Sequence, residues 1–171
     1  MRLRNTMASV HIVFGPQGAG KSTYSRRLAK ETGAVCFSID EWMNQLFGPD
    51  LPKPLNFTWI MERVRRCEKR IWTTASAFAQ TGGSVVLDLG FMKVASRTEF
   101  TGLAQACGLM FQLHFVDAPH DVRKSRVLAR NSERGETFSF EVTPDMFDFM
   151  EKQFQRPTDA ELATAIVSAS E

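Results

Sequence analysis

Several classes of protein are excluded by what this 171-residue chain lacks. It has three cysteines, Cys36, Cys67 and Cys107, odd in number and far apart. That excludes a disulfide-stapled scaffold and a closely spaced cysteine metal motif, and it points to a reducing, cytoplasmic setting. No apolar run approaches the ~20 residues of a membrane span, so no membrane partner is expected. The opening MRLRNTMASV is basic but has no apolar core of a signal peptide, and residues 1–8 read as a short flexible leader. A net charge of +2 is too small to argue by itself for nucleic acid. The three histidines, His11, His114 and His120, share no metal-like spacing, and the first two read as structural residues of strands. There is no internal repeat, low-complexity segment or linker. With 43% hydrophobic and 23% charged residues, 1–171 reads as one globular domain, a monomer or homodimer.

What is present is an alternation of apolar runs with helical patterns. Strands are expected over 10–14, 35–39, 85–89, 110–116 and, weakly, 163–167. Helices are expected over 21–31, 40–47, 57–80, 94–106 and 119–130. Another runs from 144 to 154, with Thr143 as cap and Pro144 in the first turn. Prolines break the stretch GPDLPKPLN into a loop. The polar NSERGETFSFEV reads as a mobile loop, with 131–140 as a short lid. Such an order implies an α/β fold with a five-stranded parallel sheet between two layers of helices. Ligands of such sheets sit at the carboxyl ends of the strands.

The segment GPQGAGKST begins where the first strand ends. Gly15-x-x-x-x-Gly20-Lys21-Ser22 has the spacing of a phosphate-binding loop between a strand and a helix. Its glycines let successive backbone amides turn inward around an anion, and the helix that follows adds its positive end. Gly15, Pro16, Gln17, Gly18, Ala19, Gly20, Lys21, Ser22 and Thr23 are therefore the candidate nucleotide-binding residues. Lys21 is placed to neutralise the β- and γ-phosphates of ATP, and Ser22 to offer an oxygen to Mg²⁺. Asp40 ends the second strand in VCFSID, and Asp88 ends the third in VVLDLG. Either carboxylate alone is equally explained as a cap of the next turn. Beside a phosphate loop, the pair points to function.

These segments, together with FSIDEWMNQLFG, RKSRVLARN and FEVTPDMFDFMEKQFQRP, resemble the small P-loop kinases. That group includes zeta toxins, gluconate kinase, chloramphenicol phosphotransferase and the kinase domain of polynucleotide kinase. The chain is most similar to a broad set of kinase-shaped, AAA-type ATP-binding proteins. The resemblance implies a three-layer P-loop NTPase fold of the nucleoside/gluconate-kinase type. It implies that Asp40 takes the proton of an attacking hydroxyl and that Asp88 serves the metal. It also implies that Arg126 and Arg130 clamp the transferring phosphoryl group or stack on the base. An arginine that polynucleotide kinases place shortly after the first of these aspartates is replaced here by Glu41-Trp42-Met43-Asn44. A 3′-phosphorylated nucleic-acid substrate therefore loses its obvious partner.

Arg123, Arg126 and Arg130 fall on one face of the expected helix, and Arg134 follows them, as phosphate-binding groups or as an ordinary solvated face. Arg63, Arg66 and Arg70 share a face of the long helix, as surface pairing with interleaved glutamates or as an anionic-substrate patch. Trp42, Phe47, Phe57 and Trp59 form either an aromatic acceptor pocket or a packed core under the proline loop. The expected activity is an ATP- and Mg²⁺-dependent transfer of a phosphoryl group to a hydroxyl of a small molecule. The rivals are a slow ATPase or nucleotide-regulated binding protein, and a nucleic-acid 5′-hydroxyl kinase.

Overall fold

The computed structural model describes residues 9–133 and 142–169. The leader expected at 1–8, Arg134 and the greater part of the lid expected at 131–140 lie outside these residues. Five parallel strands form one sheet: β1 (Ser9–Phe14), β2 (Val35–Ser38), β3 (Val85–Asp88), β4 (Met110–Asp117) and β5 (Ile166–Ala169). Their spatial order is β2-β3-β1-β4-β5, which puts β1 at the centre. Helices α1 (Lys21–Thr32), α2 (Ile39–Phe47), α3 (Phe57–Gln80), α4 (Val94–Ala106), α5 (His120–Glu133), α6 (Pro144–Gln153) and α7 (Asp159–Leu162) connect or follow them.

Side chains alternate across the sheet, and the two faces carry separate cores. Val10, Ile12 and Phe14 of β1 pack with Leu87, Leu113 and Phe115 against α3 and α4. Val13, Val86 and Val116 face α1 instead. On α3 the buried residues are Cys67, Ile71, Ala75 and Ala79, an unbroken i, i+4 series on one helical face. Local chemistry sets the helix starts. Ser38, Asn56, Thr143 and Thr158 each accept a bond from a first-turn amide.

Three departures from the sequence expectations bear on the site and the last strand. α5 runs on to Glu133, so residues 131–133 of the expected lid are helical. β2 ends at Ser38, whose hydroxyl caps α2, so Asp40 stands in the first turn of that helix and not at a strand end. A carboxylate suits that position because the helix N-terminus carries partial positive charge. The last strand begins three residues later than expected, because a Thr158–Glu161 capping box turns Asp159–Leu162 into α7. Among the described residues no helix is long and apolar enough to cross a membrane.

Arg97 on α4 is fully buried and ties the C-terminal segment to the sheet. Its guanidinium bonds both oxygens of Glu161, at 2.6 and 3.0 Å. It also bonds the carbonyls of Phe91, Gln155 and Arg156. Its charge lies 4.6 Å from the centre of the Phe14 ring, within cation–π range. Arg97→Ala strands the Glu161 carboxylate and these carbonyls, and should cost about 3–5 kcal/mol of stability in urea unfolding. A loss below about 1 kcal/mol would show that this clasp does not hold the segment.

Candidate active site

The phosphate loop leaves the buried end of β1 and presses against the start of α5. A β-carbon on Gly15 would stand 1.9 Å from the carbonyl oxygen of Val116 in β4. One on Gly18, where φ is +79°, would stand 2.6 Å from the carbonyl oxygen of Arg123. Only glycine fits either place. Arg123 adds a side-chain contact: its Nη1 donates to the Gln17 carbonyl at 3.3 Å, and its Nε to that of Ala118 at 2.9 Å. Glu151 of α6 pairs with both terminal nitrogens of the same guanidinium. Gly20 is the left-handed N-cap of α1 and supplies no side-chain cap. The Lys21 ammonium donates to the Pro16 carbonyl at 3.0 Å, so its charged end folds back over the loop.

The structure brings Asp40, Asp88 and Arg130, and Ser22 through Asp88, into one electrostatic neighbourhood centred on Lys21. Burial pushes the Lys21 ammonium below its ordinary range; Asp88 and Asp40 oppose this, and Arg130 and Arg123 add to it. Asp88 is buried, which pushes its carboxyl up, against the pull of Lys21 and of a bond from the Ser22 hydroxyl. The Ser22 hydroxyl and the Asp88 carboxylate thus present adjacent hard oxygen donors. That donor set fits Mg²⁺, which keeps several waters and binds through one or two protein oxygens plus substrate phosphates. Among the described residues there is no cluster of three or more His, Cys, Asp or Glu that would cage a metal by itself.

Beside the loop lies a cavity of about 570 Å³, lined by Gly18, Gly20, Thr23 and Tyr24 with Arg27, Arg126 and Arg130 around them. Ser168 and Ala169 at the end of β5 also line it. Arg126 and Arg130 line this cavity, and Arg123 does not. It is 3% exposed and holds the loop from beneath, because α6 covers the first turn of α5. Reading the three arginines as one face captured the helical spacing and missed the helix packed on it.

The aromatic cluster divides. Trp42 and Phe47 pack on the core, and Phe47 meets the Trp59 ring edge-on at 6.2 Å. The Arg63 guanidinium lies 3.5 Å from the Trp59 ring centre, whereas Phe57 is 66% exposed. Arg66 and Arg70 are exposed.

Sequence reasoning also missed a hydrogen-bonded chain. The Tyr24 hydroxyl is 2.8 Å from Nδ1 of His114, whose Nε2 is 3.0 Å from Nδ1 of His11. Nε2 of His11 is 2.9 Å from the Ser9 hydroxyl. The signal was available in the strand alternation, which puts His11 and His114 on the face that carries α1.

Residues 10–157 match the protein family described as AAA domain. A shikimate kinase from Psychrobacter sp. (strain PRwf-1) is 32% identical over 88 residues, 50% of this chain and 48% of that protein. The chain thus spans about half the length of the curated relative it matches. A candidate kinase from Chloroflexus aurantiacus J-10-fl superposes with a TM-score of 0.72 at 20% identity, over 96% of this chain and 89% of that one. The APS kinase of Mycobacterium tuberculosis, solved with AMPPNP and APS, superposes with a TM-score of 0.60 at 18% identity, over 95% and 88%. These likenesses show a kinase-like P-loop fold, the α/β architecture expected from the motifs.

The histidine chain has a consequence for acid stability. Burial, with the His11 ring beside it, pushes His114 down to about 4 from its ordinary 6.5. Between those values the unfolded chain binds more protons than the folded one. Stability should therefore fall as pH drops through that window, by about 2 kcal/mol from this group. Urea unfolding at about pH 7 and about pH 4.5 checks it. His114→Asn should lose less on acidification than the unsubstituted protein; an equal loss would place the acid sensitivity elsewhere.

Proposed function

Because the chain belongs to the AAA domain family and has a kinase-like P-loop fold, we propose that it is a phosphotransferase. In this reading it moves the γ-phosphoryl group of ATP to a hydroxyl of a small molecule, with Mg²⁺. The observation that carries the reading is the setting of Lys21. Its charge ends a glycine loop, between the carboxylates Asp40 and Asp88 and the guanidinium of Arg130. A bare triphosphate needs the cations, and a hydroxyl acceptor needs a carboxylate.

The roles follow from charge and position. Amides of 15–20 and of the first turn of α1 bind the phosphate chain, and Lys21 neutralises it. Arg130 and Arg126 reach the same phosphates or the base from across the cavity, where a planar fork is suited to both. Ser22 and Asp88 would hold Mg²⁺, which would supply charge neutralisation to the phosphate chain. Asp40 orients the acceptor hydroxyl and takes its proton as the new O–P bond forms and the bond to the β–γ bridging oxygen breaks. Charge placement and alignment carry most of such a reaction, since its transition state is loose. The AMPPNP held by the structurally similar APS kinase supports an adenine nucleotide as the donor.

A screen of ATP consumption against hydroxyl compounds, nucleosides and 5′-hydroxyl oligonucleotides tests the reading. Stimulation by a small hydroxyl compound is expected. Steady unstimulated turnover would favour an ATPase, and stimulation by oligonucleotides a nucleic-acid kinase. Lys21→Ala should lower kcat/KM by about 100-fold or more. Asp40→Asn should suppress transfer while leaving ATP affinity nearly intact, and Asp88→Asn should raise the Mg²⁺ concentration required. If Asp40→Asn changes only the metal requirement, the two carboxylates exchange roles.

A further inference from the structure

Tyr24 lies one turn into α1, lines the cavity and is anchored from behind by groups that the proposed reaction does not use. His114 is 2% exposed. Between its Nε2 and Nδ1 of His11 there is room for one proton. With that proton on His114, its Nδ1 accepts from the Tyr24 hydroxyl, and Nε2 of His11 donates to Ser9. With it on His11, Ser9 donates to His11, and Nδ1 of His114 donates to the Tyr24 oxygen. Both arrangements satisfy all four ring nitrogens, and both hold the Tyr24 oxygen against Nδ1 of His114. The Ser9 hydroxyl extends the chain to that of Ser84 at 3.4 Å.

With its polar tip turned inward, Tyr24 shows the cavity its ring. Arg27, which also lines the cavity, sits with its guanidinium 5.4 Å from that ring's centre. Arg126 and Arg130 supply further guanidinium planes. An aromatic ring and planar cations around a cavity continuous with the phosphate loop suit a flat heterocycle carried on a phosphate chain.

Resting on the nucleotide reading above, we infer that Tyr24 is the residue that sets affinity for the nucleoside end of the donor. In this account His114 and His11 are positioning residues that hold the ring as a fixed wall. The phosphates bind the loop whether or not the wall is in place, so base affinity and phosphate affinity are separable.

The test compares calorimetric affinities of the full-length chain for Mg²⁺–ATP and Mg²⁺–tripolyphosphate, which has no nucleoside. Tyr24→Ala should weaken ATP about tenfold or more and leave tripolyphosphate within about twofold. Tyr24→Phe, which keeps the ring and loses its anchor, should weaken ATP by several-fold with tripolyphosphate unchanged. His114→Leu should do the same in the presence of Tyr24 and add nothing to Tyr24→Ala. His114→Asn, whose amide stands near the place of Nδ1, should restore most of the affinity. Equal losses for the two ligands, or unchanged ATP affinity in Tyr24→Ala, would overturn this inference alone. Failure of the unsubstituted protein to bind either ligand would overturn the nucleotide reading and this inference together.

Discussion

The contact between the phosphate loop and the start of α5 is the constraint on which the rest of the site depends. It exists because Gly18 has no side chain and Gly15 lets the loop pass close to β4: a methyl group at Gly18 would overlap the backbone of Arg123, and one at Gly15 that of Val116. With the loop seated there, Arg123 reaches the Gln17 carbonyl, and Glu151 brings α6 into the same cluster. Arg126 and Arg130, about one and two turns further along α5, then face the loop across the cavity. Moving the loop away by a methyl group would disturb the cradle, the clamp and the cavity wall together.

Charge balance is the second condition. A lysine and an aspartate in a partly dry pocket each resist ionisation, and each relieves the other. Asp40 joins this balance from the first turn of α2, the position the Ser38 cap gives it. Arg130 works in the opposite direction, adding positive charge near Lys21. Such a neighbourhood, on the proposed reading, receives a polyanion accompanied by Mg²⁺. On the proposed reading, the carboxylates keep the cations from being idle surface charge and give a hydroxyl somewhere to leave its proton.

Much of this was legible in the sequence because the relevant signals are local. The glycine spacing, the strand before it and the helix after it lie within a few turns of chain. The bounds expected for α3 and α4 coincide with those observed, since strong periodicity and terminal glycines mark them. Asp40 was expected just after a strand through Ile39, because the apolar run outweighs the single hydroxyl of Ser38 that starts the helix one residue earlier. What was not legible depends on packing between distant segments. No local pattern shows that Glu151 would cover Arg123 while Arg126 and Arg130 stay open to the cavity. Nor does one show that Tyr24 and His114, 90 positions apart, would share a hydrogen bond. The aromatic residues near the proline loop had two equal readings, and burial separated Trp42 and Phe47 from Phe57.

The central claim is that the glycine loop and Lys21 hold the phosphates of a nucleoside triphosphate beside Asp40 and Asp88. A crystal structure of the protein with a non-hydrolysable ATP analogue and Mg²⁺ tests it most directly. The account predicts β- and γ-phosphate oxygens within hydrogen-bond distance of the loop amides and of Lys21 Nζ, with Ser22 and Asp88 on the metal side and the base against Tyr24. An analogue bound elsewhere, or one whose phosphates avoid the loop while Lys21 keeps its bond to the Pro16 carbonyl, would contradict it.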